Sequence, residues 1–506
     1  MEETTNEDTV LGVVLLTRHG DRTTFFQNPR TYAASQTSIT PLGEQQEFEL
    51  GALLRSLYLD QDSPTFIEGI SPSTSVVRPD QIIARADAGD EGGVIFDSTI
   101  ALLQGLFPAT HLSNITLANG TTVISPLGGY QYVPVETVEP DQDVSLQGFT
   151  SCNTLNIHTA GFYRSERFKE KARESREFLS KLAPFLDGRP ATLENMVFDY
   201  VNVQSIHNAT YAQLLPPTFL EQARDLANFH EHGVFTDTDL DGIGNIAART
   251  VLPSILTAFK RIANPFNALK FHYSSVSYKP FLSLFNMIGV NENGEIPPAI
   301  VNYAAAVVFE IRLPSRTSHT TRLDSSESES ESQSHSGLEG PLGLEPVVRF
   351  KFKNGTDDET FVSHPMSFSG WNPGVVASRE NIRDVPLSVF IRAFEDVSIQ
   401  SKPEWCRVCG QTIARGCDEL LCHSASQSSI ASESQEGTFS RSVFKTWLVG
   451  GVESSGTSAL AVFVVLFAVV TVFWGVRCGR GRKSEVVTRD EKAKRDVSLQ
   501  ETHAKN

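Results

Sequence analysis

The chain has 506 residues, a formal net charge of −17 and six cysteines. That length accommodates one large α/β domain with an insertion and extra modules. The acidic balance excludes nucleic acid and anionic membrane surfaces as partners, because both repel it.

The first strong signal is the apolar run Val10-Leu11-Gly12-Val13-Val14-Leu15-Leu16, which reads as a buried strand. Arg18-His19-Gly20-Asp21-Arg22 follows it directly. Ligands of open α/β sheets bind at the carboxyl ends of strands. Two guanidinium groups there can grip phosphate oxygens, and a neutral imidazole between them can attack phosphorus. Arg18 and Arg22 are therefore candidate phosphate clamps and His19 the candidate nucleophile. Asp21, in the same loop, is a second candidate acid, although loop aspartates ordinarily cap turns.

These residues resemble the histidine acid phosphatases, the branch of the histidine phosphatase superfamily that includes phytases. That family opens with a strand and Arg-His-Gly-x-Arg-x-Pro; here Thr24 stands at the proline position. Leu42-Gly43-Glu44-Gln45-Gln46 and Gly51-Ala52-Leu53-Leu54-Arg55 resemble the helix after the catalytic loop. Gly105-Leu106-Phe107-Pro108 resembles the family's "GLFP". Tyr303-Ala304-Ala305-Ala306 with Phe309-Glu310-Ile311-Arg312 resembles its late "YAS…FEL" strand. Phosphoglycerate mutase-like membrane proteins of the superfamily share this pattern. The resemblance implies a mixed central sheet flanked by helices with a helical cap insertion. It also implies a phosphomonoester ligand, a phosphohistidine intermediate, and no metal or cofactor.

The departures bear on activity. The family's third pocket arginine falls at Val94, which leaves Arg85 as the only nearby arginine able to reach a phosphate. Its late His-Asp pair falls at Ser274-Ser275. Ser274 retains a hydroxyl donor, but serine is no acid near neutral pH. By this reading the pair and the third arginine are lost, which makes a catalytically impaired protein the alternative to a hydrolase. His272 lies two residues before Ser274, so on a strand the two face the same way. It is a candidate to reach the pocket from one pleat back; the alternative is an ordinary half-buried histidine.

Farther along, the cap is expected over about 110–245, within a domain spanning 8–400. Residues 161–186, 219–230 and 246–262 have helical spacing. In His230-Glu231-His232, residues two apart on a helix point to different faces, so a surface cluster is expected rather than a shared metal. The Ser/Glu-rich stretch at about 315–341 is too polar to bury surface and reads as a disordered loop. Val347 to Gly355 alternates and ends in Asn-Gly, an edge-hairpin signal.

Cys406, Cys409, Cys417 and Cys422 cluster in a module over 401–424 that suits either a zinc knot or two disulfides. Cys152 is left over. A Ser-rich stalk follows over 425–456. The uncharged apolar run 458–476 is long enough, at ~28 Å, to span a bilayer, so a transmembrane helix is expected over 457–477. The basic tail 478–506 then faces the cytoplasm and the large domain is extracellular or lumenal. Glycosylation sequons at Asn114, Asn119, Asn208 and Asn354 suit that placement. No signal peptide is visible.

Overall fold

The computed structural model describes residues 8–23, 37–89, 92–195, 197–292, 294–314, 344–372 and 383–418. The chain divides into two units, Met1–Arg415 and Gly416–Asn506. Only 416–418 of the second are described. The expected stalk, transmembrane helix, basic tail and Cys422 lie outside the described residues, as does the Ser/Glu-rich loop. Among the described residues no helix is long and apolar enough to cross a membrane.

Strand β1 (Thr9–Arg18) is buried along almost its whole length. Its apolar residues do not alternate because both of its faces are covered. After it come α1 (Pro41–Tyr58), β2 (Ile82–Asp87) and α2 (Gly92–Leu106). A small hairpin, β3 (Asn114–Thr116) and β4 (Thr122–Ile124), a helical turn α3 (Pro126–Gly129) and β5 (Val135–Val138) complete this half. Helices α4 (Asn153–Arg164), α5 (Glu166–Leu182), α6 (Phe198–His207), α7 (Ala209–Leu214) and α8 (Phe219–Val234) follow without a strand between them. Next are α9 (Ile246–Arg249), α10 (Leu252–Ala263), β6 (Phe271–Val276) and α11 (Lys279–Met287). The chain closes with β7 (Ala306–Leu313), β8 (Val347–Lys353), β9 (Val362–Ser363), β10 (Asp384–Pro386), α12 (Leu387–Glu395) and α13 (Lys402–Val408).

The main sheet runs β10-β8-β7-β1-β6-β2-β5, with β9 beside β8. Strands β1, β6, β2 and β5 are mutually parallel, and β7, β8 and β10 are added antiparallel. The sheet is therefore mixed, with helices on both faces. One face buries Val13, Leu15, Phe271 and Tyr273 against Leu50 and Leu54 of α1 and Leu102 and Leu106 of α2. On the other, Phe259 of α10 meets Phe309 of β7 edge to face at 5.6 Å and Phe390 of α12 at 5.4 Å. The helical insertion has its own core, including Leu182, Leu186, Val201 and Ala223.

Three readings change. The segment expected as one helix from 161 breaks at Ser165, whose hydroxyl caps α5 by accepting from the Phe168 amide. A second break separates α9 from α10, which carries Pro253 in its first turn. Strand β8 is no edge, because β10, from farther along the chain, covers it.

Two buried glutamates contrast. Glu310 accepts from Tyr58 Oη at 2.8 Å and pairs with Arg312 and Lys351, each at 2.7 Å. Glu47 on α1 is fully buried, and neither of its carboxylate oxygens has a hydrogen-bond partner. Burial raises its carboxyl well above the usual range. The protonated form is the one that suits the fold, so this stability is present below the unfolded value of about 4.3 and lost as pH rises. Glu47→Leu should stabilise the protein at pH 7 by about 1–3 kcal/mol and by much less at pH 4. Equal thermal midpoints for the two proteins at pH 7 would contradict this.

Candidate active site

Arg18 ends β1 directly beside Val276, the last residue of β6. The next four residues cross the end of the sheet, and several elements pin them. The His19 amide donates to the Val276 carbonyl at 3.3 Å, and the Ala304 amide donates to the His19 carbonyl at 3.2 Å. The Gly20 amide donates to Ser98 Oγ of α2 at 3.1 Å, and the Asp21 amide to Gln46 Oε1 of α1 at 2.9 Å. A Cβ on Gly20 would come within 2.5 Å of the Gly43 carbonyl oxygen, so glycine is required where the loop presses on α1.

The loop opens onto a cavity of about 420 Å³. Arg18, Arg22, Tyr278 and Tyr303 form its sheet side; Asp199 of α6 and Glu231 of α8 are among the residues opposite. The Arg18 guanidinium lies 4.4 Å from the Tyr303 ring centre and 5.2 Å from that of Tyr278, and donates to the Val301 carbonyl. Arg22 Nη1 donates to Asp199 Oδ1 at 2.9 Å. Both expected clamps thus line one cavity, and one already holds a carboxylate.

His19 is fully buried and does not itself line the cavity. Its Nδ1–H donates to the Gly20 carbonyl at 2.8 Å, which makes Nε2 the basic nitrogen. Tyr303, on the cavity wall, is its ring neighbour at 5.6 Å. Asp21 also stays off the wall: its Oδ2 accepts from Thr40 Oγ1 at 2.5 Å and meets His207 Nε2 at 2.7 Å. It anchors the loop to α1 and α6.

The remaining expected residues lie elsewhere. In the strand register Ser274 pairs with Leu16 and Arg85, one pleat short of Arg18. Ser274 and Ser275 do not line this cavity; Tyr278 and Lys279, just beyond β6, do. Val94 is buried inside α2. Arg85 donates to Glu136 and Asp143, each at 2.7 Å, and to Ser254 at 2.8 Å. It shares a second cavity with His272, away from Arg18 and Arg22. The period-two reading does hold locally: His272 Nε2 and Ser274 Oγ are 3.3 Å apart.

His230-Glu231 is not a surface cluster. Both residues are buried and line the cavity. His230 Nδ1–H donates to Glu231 Oε1 at 2.8 Å, Tyr278 Oη donates to Glu231 Oε2 at 2.7 Å, and His230 Nε2 meets Tyr163 Oη at 2.7 Å. Burial alone would raise the Glu231 carboxyl, but His230, Lys279 and Tyr278 hold it below the usual range, so it is ionised. Burial, with Glu231 and Glu194, pushes the Tyr163 hydroxyl up to about 12. A third arginine, Arg224 of α8, also reaches the cavity, where it donates to the Ile300 carbonyl at 3.3 Å. The apolar stripe Ala223, Leu226, Ala227, Val234 of α8 includes position 230 at helical spacing, a signal that His230 faces inward.

Cys152, expected to be left over, pairs with Cys409. Cys406 and Cys417 are disulfide-bonded as well. Among the described residues no group of His, Cys, Asp and Glu is placed to hold a metal. Asn114, Asn119 and Asn208 are exposed, whereas the half-buried Asn354 accepts from the Asn302 amide at 2.9 Å through its side chain.

No protein-family model matches the chain, and no curated protein matches it in sequence. Solved structures do match. A Hafnia alvei phytase in complex with tartrate has a TM-score of 0.48 at 12% identity, covering 79% of this chain and 98% of its own. A Citrobacter braakii phytase gives 0.48 at 13%, covering 78% and 99%. A Bifidobacterium longum multiple inositol polyphosphate phosphatase in complex with inositol hexasulfate gives 0.44 at 10%, covering 80% and 96%. The solved structures that this chain is similar to are histidine acid phosphatases, and the match is one of structure alone, at low sequence identity.

Proposed function

We propose that the cavity binds a phosphomonoester between Arg18 and Arg22 and that His19 accepts the phosphoryl group. One observation carries this reading: both arginines of Arg-His-Gly-Asp-Arg line one cavity at the carboxyl end of the parallel strands. In the reaction His19 Nε2 forms a bond to phosphorus while the phosphorus–oxygen bond to the leaving group breaks. Water then cleaves the phosphorus–nitrogen bond and releases phosphate. The leaving oxygen needs a proton, and ionised Glu231 cannot supply one. The Nδ1 proton of His230 is held by Glu231 Oε1, so the leaving group departs as an anion and takes its proton from water. Aryl phosphates, which have good leaving groups, are therefore the better substrates.

A second reading, binding with little or no turnover, draws support from the burial of His19 off the cavity wall. The apolar run over 457–477 supports a membrane anchor, with the main domain extracellular or lumenal.

The binding step is tested by calorimetry with inorganic phosphate. Arg18→Gln should weaken binding by roughly 10- to 100-fold, the worth of charge-assisted hydrogen bonds. Unchanged affinity would sink the proposal. Asp199→Asn should act in the opposite sense. It releases Arg22 and removes a negative charge from the cavity, so phosphate should bind several-fold more tightly. Weaker binding would show that Asp199 positions Arg22 rather than competing for it.

A further inference from the structure

A second cavity, of about 580 Å³, lies against the sheet face that carries α10. Its floor is Ile83 and Arg85 of β2 and His272 of β6, and α10 supplies Ser254, Thr257 and Arg261. We infer that this cavity is a binding site for a small hydroxylated monocarboxylate, with the acid group held by Arg261 and His272.

Two side chains that line it have nitrogens without a hydrogen-bond partner among the described residues. His272 is buried, and its Nδ1 has no hydrogen-bond partner. If Ser274 Oγ donates to Nε2 across their 3.3 Å separation, the ring proton sits on Nδ1. The Arg261 guanidinium makes no hydrogen bond or ion pair among the described residues. A buried donor without a partner costs free energy that an incoming acceptor recovers. A guanidinium beside an imidazole N–H selects an oxyanion.

Charge decides which oxyanion. Arg85 with Glu136 and Asp143 carries a net charge of −1. The Lys402 ammonium at the rim, bonded to the neutral Asp141 carbonyl at 3.1 Å, offsets that charge and leaves Arg261 as the net cation. Burial, with Arg85 and Arg261 nearby, holds the His272 imidazole down to about 3, so it remains a neutral donor. One unpaired guanidinium matches a single negative charge better than a phosphate dianion. The space exceeds that of a bare ion, and Thr257, Gln400 and Ser401 offer hydroxyl and amide partners for a hydroxylated body.

Titration calorimetry of the full chain with gluconate and, separately, inorganic phosphate tests this assignment. Gluconate should bind the wild type and Arg18→Gln equally. Its affinity should fall about tenfold or more in Arg261→Gln and in His272→Asn, and recover to within a few-fold of wild type in Arg261→Lys. No gluconate binding, binding indifferent to Arg261→Gln, or binding lost in Arg18→Gln would each overturn the site. Phosphate binding that depends on Arg261 would overturn the ligand class. The Arg18→Gln arm keeps a failure here distinct from a failure at the first cavity.

Discussion

Replacing His19 by alanine should lower turnover of an aryl phosphate by roughly three orders of magnitude or more, the usual consequence of deleting a nucleophile. Phosphate affinity should change far less, because the charges that hold the anion belong to Arg18 and Arg22. The fixed tautomer underlies this expectation. The Nδ1–H donates to the Gly20 carbonyl, so Nε2 is the basic nitrogen. The loop is held by amide bonds to Val276, Ser98 and Gln46 that do not involve the imidazole, so the alanine protein should keep the loop conformation. Equal turnover by the two proteins would assign the activity to another group.

The second large effect concerns stability. The Cys152–Cys409 disulfide ties residues 257 positions apart, joining the start of α4 to the end of α13. It sits within a wider seam. The Asn153 amide donates to the Cys409 carbonyl at 3.0 Å, Thr154 Oγ1 to the Val408 carbonyl at 2.9 Å, and Trp405 Nε1 to the Gly148 carbonyl at 2.7 Å. Trp405 is fully buried. Closing so long a loop restricts the unfolded chain strongly. Cys152→Ser/Cys409→Ser should lose about 2–5 kcal/mol in urea unfolding. The loss should appear without added reductant, because the second disulfide is untouched. An unchanged urea midpoint would mean that the seam alone carries the joint.

Local and short-range features were legible in the sequence. Strand β1 announced itself because burial on both faces removes alternation, and the Arg-His-Gly-Asp-Arg loop followed at the expected end of the sheet. The same-face relation of His272 and Ser274 also followed from strand geometry. What periodicity alone does not supply is which layer a face meets. The face that carries His272 and Arg85 turns toward α10, so these two residues line a second cavity instead of completing the first. The resemblance puts the family's His-Asp pair at Ser274-Ser275, whereas the register with β1 brings the chain beyond Val276 to the cavity. The spacing of His230 to His232 says only that the two face different ways on a helix; the apolar stripe of α8 points His230 inward. Cys152 looked solitary because its partner is near neither in sequence nor in motif. Arg224 carries no motif at all, and only the packing of the insertion brings it to the cavity.

Mapping the phosphoryl group is the most direct test of the proposed chemistry. An alkaline quench during turnover of an aryl phosphate preserves phosphohistidine for peptide mass spectrometry. Phosphate attached to His19 is the expected result. A quenched protein that carries no phosphoryl group, or carries it on another residue, would contradict His19 as the nucleophile of this cavity.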